Sequence, residues 1–142
     1  MPNDNPLDTM SADAFGRSLK GLGVNILVTD VTRTVAFLTR VFGMTAHQPT
    51  RDFAIMTYGR HVFQLHADHT YHSHPLLGLL PETPPRGAGI ELRLYDTDPD
   101  AACDRVADLG TILQPPADKP HGLREAFIVD HDGYVWVPSR PK

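Results

Sequence analysis

Apolar residues alternate with period two over residues 23–29. Val24, Ile26 and Val28 fall on one face, and Gly23, Asn25 and Leu27 on the other, which predicts a β-strand. The period then lengthens. Asp30 is placed to cap a helix, Val31, Val35, Leu38, Val41 and Phe42 share one helical face, and Gly43 ends it. Residues 44–48 read as a short strand and 49–52 as a turn. A hairpin follows, with strands over 53–58 and 61–66 joined at Gly59-Arg60.

The pattern breaks over residues 67–86, where His69, His72 and His74 precede prolines at 75, 81, 84 and 85. This predicts a linker or surface excursion, with a short apolar turn at Leu76-Leu77-Gly78-Leu79-Leu80. The second half then repeats the first. Residues 89–95 alternate, with Ile90, Leu92 and Leu94 on one face. Asp98-Pro99 starts a helix whose buried stripe is Ala102, Cys103, Val106 and Leu109, ended by Gly110. Residues 111–114 form a strand and 115–122 a loop. A final hairpin follows, 124–130 and 134–138, turning at Asp132-Gly133, where left-handed backbone is needed. Gly23-x-Asn25-x-Leu27 matches Gly89-x-Glu91-x-Arg93 position for position. Upstream, residues 1–9 are polar and expected to be disordered, and Ser11 can cap a short helix over 12–19.

That final hairpin, with Arg124, an apolar strand, Asp130-x-Asp132-Gly133 and an aromatic strand, resembles the last hairpin of the vicinal oxygen chelate superfamily. This group holds the glyoxalases, extradiol dioxygenases and bleomycin-resistance proteins. Together with the repeat, the resemblance covers roughly residues 21–139. It implies an α+β fold of two βαβββ modules whose sheets curl into a cup. The expected division is an N-terminal extension (1–20), a first module (21–68), a His/Pro-rich linker (69–86) and a second module (87–142). The faces turned away from the helices line the cup, which assigns Asn25, Leu27, Gln64, His66, Glu91, Arg93, Glu125, Phe127, Val135 and Val137 to it.

Metal-dependent members of the superfamily carry ligands at four cup positions, two on first strands and two on last strands. Matched residue by residue, this chain offers Gly23, Gln64, Gly89 and Val137. Only Gln64 has a donor atom, so no metal and no other cofactor is expected there. A less favoured arrangement brings Gln64, His66, Glu91 and Glu125 together as a relocated non-haem iron set. Glu91 beside Arg93 reads either as a base with a shifted pKa or as a same-face ion pair. His66, Glu91 and Glu125 are the candidates for catalysis. Asn25, Gln64, His66, Glu91, Arg93, Glu125 and Phe127 are the candidates for ligand contact. The run His66, His69, His72, His74 invites an adventitious metal, but lies mostly in a loop. His47, His61, His121 and His131 read as solvent-facing, Cys103 and Trp136 as core.

Composition narrows the partners. The chain of 142 residues carries 13 Lys and Arg against 17 Asp and Glu, a net charge of −4 without a basic run. That disfavours nucleic acid and acidic membranes. No apolar run spans a bilayer, the first residues show no signal peptide, and the single cysteine fits a reducing cytoplasm. P-loop, dinucleotide and nucleophile-elbow patterns are missing. Two functions remain. One is a metal-free protein of the bleomycin-resistance type that binds a small molecule in its cup as a homodimer. The other is an enzyme of the lyase, isomerase or dioxygenase type, using a relocated metal or acid–base residues.

Overall fold

The computed structural model describes residues 5–142, and the polar residues 1–4 lie outside it. Each half builds one four-stranded mixed sheet backed by a helix. In the first, β1 (Asn25–Val28) leads into α2 (Val31–Phe42), then β2 (Thr45–His47), β3 (Phe53–Tyr58) and β4 (His61–Ala67), in the order β1-β4-β3-β2. In the second, β5 (Glu91–Tyr95) leads into α3 (Pro99–Asp104), then β6 (Thr111–Asp118), β7 (Leu123–Val129) and β8 (Val135–Pro141), in the order β5-β8-β7-β6. The first strand of each half runs parallel to the last, and the other pairs are antiparallel. The two βαβββ modules read from the sequence are therefore present.

Local chemistry sets the element ends. The Asp30 carboxylate accepts the Arg33 N–H at 3.0 Å, and Gly43 closes α2 in the left-handed region at φ 71°. In the last hairpin Asp130 Oδ1 accepts the N–H groups of Asp132 and Tyr134, each at 3.0 Å. Gly133 then takes φ 87°, as the Asp-Gly pair predicts.

Both helices and the helix-facing sides of both sheets share one core. Ile26, Leu65 and Met56 of the first sheet join Leu94, Ile128 and Trp136 of the second around Phe37, Leu38 and Val41 of α2. The Trp136 ring lies 6.2 Å from Phe42 and 5.9 Å from Phe63. Arg105 donates to the Val41 carbonyl, and the Tyr58 hydroxyl to the Tyr95 carbonyl at 2.9 Å. The sheets are thus back to back. Their other faces point outward on opposite sides of the molecule.

Four expectations change. First, β1 and β5 begin at Asn25 and Glu91, not at the glycines; Gly89 sits at φ 86°, outside strand geometry. Second, α3 stops at Asp104. Val106 and Leu109 continue its stripe through a turn in which Ala107 has φ 45°. Third, β6 continues through Pro115 and Pro116, because an edge strand tolerates a missing N–H, and its register shifts there. Fourth, residues after 4 are ordered: Pro6–Asp8 form a 3-10 turn and Ala12–Ser18 form α1. The excursion contains two 3-10 turns, Asp68–Tyr71 and Pro75–Leu79. Arg86 fastens it with two 2.7 Å bonds to Asp68 and a third to the Leu27 carbonyl.

Candidate functional site

The outward face of the first sheet carries Asn25, Leu27, Gln64 and His66, because Asn25 is paired with Gln64 and Leu27 with His66. Asn25 is exposed and Leu27 buried. Gln64 Oε1 accepts from His66 Nε2 at 3.1 Å. The His66 ring packs 5.0 Å from Phe53 and 5.2 Å from Tyr71, and burial lowers its pKa, so it is neutral at pH 7. His47 is not solvent-facing as expected: it is 2% exposed. Strand pairing sets it opposite Ile55, and the N-terminal segment covers it. Its Nδ1 meets Asp8 at 2.8 Å and its Nε2 meets Thr57 at 2.9 Å.

That segment is a wall over the first face. Phe15 of α1 packs edge-on to Phe53 at 6.4 Å, and the Gln48 amide donates to the carbonyls of Leu7 and Met10. Between wall and sheet lies an open cavity of about 630 Å³, lined among others by Phe15, Leu19, Val62 and Gln64. An adjoining cleft of about 760 Å³, which shares Val24, Arg60, His61 and Phe63 with this cavity, opens between the sheets over Leu92 and Trp136 and reaches Glu91 and Arg93 at the β5 edge.

The outward face of the second sheet carries Glu91, Arg93, Glu125, Phe127, Val135 and Val137. Arg93 Nη1 donates to Glu91 at 2.6 Å and Nη2 to Glu125 at 2.9 Å, while its guanidinium lies 5.6 Å over the Tyr95 ring. His121 Nε2 reaches the same Glu125 oxygen at 3.1 Å. Burial pushes the Glu125 carboxyl up, but the hydrogen bonds and charges of Arg93 and His121 outweigh it, so the net direction is down. Burial likewise opposes the Arg93 charge, and its two carboxylates more than restore it. Glu91 and Arg93 therefore form an ion pair, extended to Glu125. Ser139 Oγ and Gln114 Nε2, whose residues pair with Glu125 and Phe127, are buried and lack hydrogen-bond partners among the described residues.

The candidates gather into two groups. Gln64 with His66 and Asn25 forms one; Glu91, Arg93, Glu125 and Phe127 form the other. The back-to-back sheets keep the groups apart, so Gln64, His66, Glu91 and Glu125 do not converge within one chain. His121, read from the sequence as solvent-facing, is exposed, yet its loop brings Nε2 back onto Glu125, a contact on which face alternation, which assigns strand residues, is silent.

The metal positions inherited from the resemblance do not fit a divalent ion. Gly23 and Gly89 precede their strands and have no donor, and Val137 is fully buried and apolar. The Gln64 oxygen is engaged by His66. In the excursion each imidazole is engaged separately: His69 with Asp52 at 2.7 Å, His72 with the His69 carbonyl, His74 with the Leu76 N–H. No cluster of three metal-ligating side chains occurs among the described residues.

Comparison with known proteins places this geometry. The sequence pattern of the Glyoxalase/Bleomycin resistance protein/Dioxygenase superfamily matches residues 22–137. No curated protein matches the chain. Among solved structures, a glyoxalase/bleomycin resistance protein/dioxygenase family enzyme from Burkholderia phytofirmans is similar, with TM-score 0.70, 17% identity, and 84% of this chain and 97% of that one covered. TioX from Micromonospora sp. is 26% identical, with TM-score 0.61 over 87% of this chain and all of its own (100%). The fosfomycin resistance protein FosX from Mesorhizobium loti is 16% identical, with TM-score 0.62 over 87% of this chain and 94% of its own.

Proposed function

The chain belongs to the glyoxalase/bleomycin resistance protein/dioxygenase superfamily, and from that membership we propose that it binds a small organic ligand on its outward sheet faces without a metal ion. One observation carries the reading. The second face has a fixed cation, the Arg93 guanidinium, held between Glu91 and Glu125 beside the donor-free Val137. An internally neutralised cation recognises polar groups on a ligand and performs no Lewis-acid chemistry.

The same reading includes a homodimer. Each outward face is half a cup, and β1 and β5 each keep one unpaired edge. Joining β1 of one copy to β5 of another sets Asn25, Gln64 and His66 opposite Glu91, Arg93, Glu125 and Phe127. The exposed apolar side chains beside these edges, Leu22, Val24 and Ile90, support this contact.

The test is metal content and chelator response of untagged protein. The expected result is well under one ion per chain and a melting temperature unchanged by EDTA. About one ion per chain, with melting lowered on chelation because a native-state ligand has been removed, would overturn the metal-free reading.

A second reading, an acid–base enzyme, is favoured by the Glu125–His121 pair. Glu125 orients the His121 ring through Nε2, which leaves Nδ1 free of the carboxylate to exchange a proton with a ligand.

A further inference from the structure

The cavity under α1 is lined by apolar side chains of the N-terminal segment and by Lys20, Arg60 and His61. We propose that it takes an amphiphilic anion, a molecule with an apolar body and a single carboxylate, and that the N-terminal segment selects it. The inference rests on the reading above, since it names the ligand class of the first face.

Three observations carry it. The first is shape. The cavity holds about 630 Å³ between α1 and the outward face of β4, within the size range of small-molecule sites. The second is charge. The protein carries 17 carboxylates against 13 Lys and Arg, yet the lining holds Lys20, Arg60 and His61 and no Asp or Glu. Neither cation, Lys20 nor Arg60, forms an ion pair among the described residues. Cations at the mouth of an apolar chamber attract an acid head group and leave its tail inside. The third is origin. The wall, with Leu7, Phe15, Ser18 and Leu19, lies before residue 22, where the superfamily match begins. It is held in place by Asp8 on His47, by Gln48 on two carbonyls and by Phe15 on Phe53. Gln64, at the floor, supplies a polar contact within the apolar lining.

The test uses decanoate as probe and decyltrimethylammonium, with the same tail and opposite charge, as its counterpart, both titrated calorimetrically into the full chain. Decanoate is expected to bind, and the ammonium compound to bind at least about tenfold more weakly. Lys20→Glu/Arg60→Glu is expected to weaken decanoate about tenfold or more, two partly exposed ion contacts being replaced by repulsion. Leu19→Glu, on a half-exposed wall residue, is expected to do the same through the tail. Circular dichroism and melting temperature of both variants should match the parent protein, which separates lost binding from lost fold. Arg51→Met, on an exposed turn outside the cavity lining, should leave decanoate binding unchanged. Absence of decanoate binding, equal binding of the two probes, or binding indifferent to Lys20 and Arg60 would each overturn the proposal. A tightly bound metal in a protein that still needs Lys20 and Arg60 for decanoate would sink the metal-free reading and leave this one standing.

Discussion

Glu125 is a buried carboxylate with two donors on one oxygen, Arg93 Nη2 and His121 Nε2. Its net pKa lies below the ordinary glutamate value of 4.5. A carboxyl whose folded pKa is depressed stabilises the protein above the unfolded value, and that contribution is lost as pH falls through and below it. Glu125→Gln is therefore expected to cost about 2 kcal/mol at neutral pH, the scale of a hydrogen bond to a charged group. The gap from the parent protein should narrow as pH falls below 4.5. Urea unfolding at both ends of that range checks it, and a gap independent of pH would assign the loss to packing. His66 runs parallel: burial lowers its pKa, so the neutral imidazole's contribution is lost as pH falls below the ordinary value of 6.5. These directions were not legible in the sequence. Alternation told which residues share a face, but the Arg93 fork and the returning His121 loop are matters of rotamer and loop path.

Among the elements, the last hairpin shows where local and tertiary causes meet. Asp132-Gly133 announces a turn, and Gly133 adopts the expected positive φ. The structure adds a second constraint. A Cβ on Gly133 would collide with Pro85 Cα, because the excursion passes directly over the turn. Asp132 also ties this turn to the other module, accepting from the Thr29 N–H at 3.1 Å and its hydroxyl at 2.7 Å. Gly133→Ala is thus expected to destabilise by more than about 2 kcal/mol, strain and overpacking acting together. A shift in melting temperature of only a degree or two would show that the excursion yields. Elements with strong local signals, such as α2 between Asp30 and Gly43, fall where the sequence sets them. The shortened α3 and the lengthened β6 differ, since neighbours rather than propensity decide where a short helix or an edge strand stops.

At the scale of the whole molecule, back-to-back sheets leave two outward faces and four edge strands, β1, β2, β5 and β6. Sedimentation at micromolar concentration is expected to give about twice the 15.7 kDa chain mass. Ile90, 59% exposed beside β5, tests the contact: Ile90→Lys should shift the protein toward monomer without lowering its helix and strand content. A monomer in the parent protein across that range would remove the dimer from the proposal. The sequence by itself determined the two βαβββ modules and the faces of their strands. Those properties follow from periods of two and 3.6 residues, from turn chemistry and from side-chain identity, all local. Only the tertiary structure decided how the modules pack, because a strand's alternation says which residues share a face but not which other face it meets. For the same reason the N-terminal segment reads only as a polar stretch over residues 1–9 and a short helix over 12–19 with nothing to pack on. Its few apolar residues, Leu7 and Phe15 among them, acquire a surface to cover only once the first sheet exists.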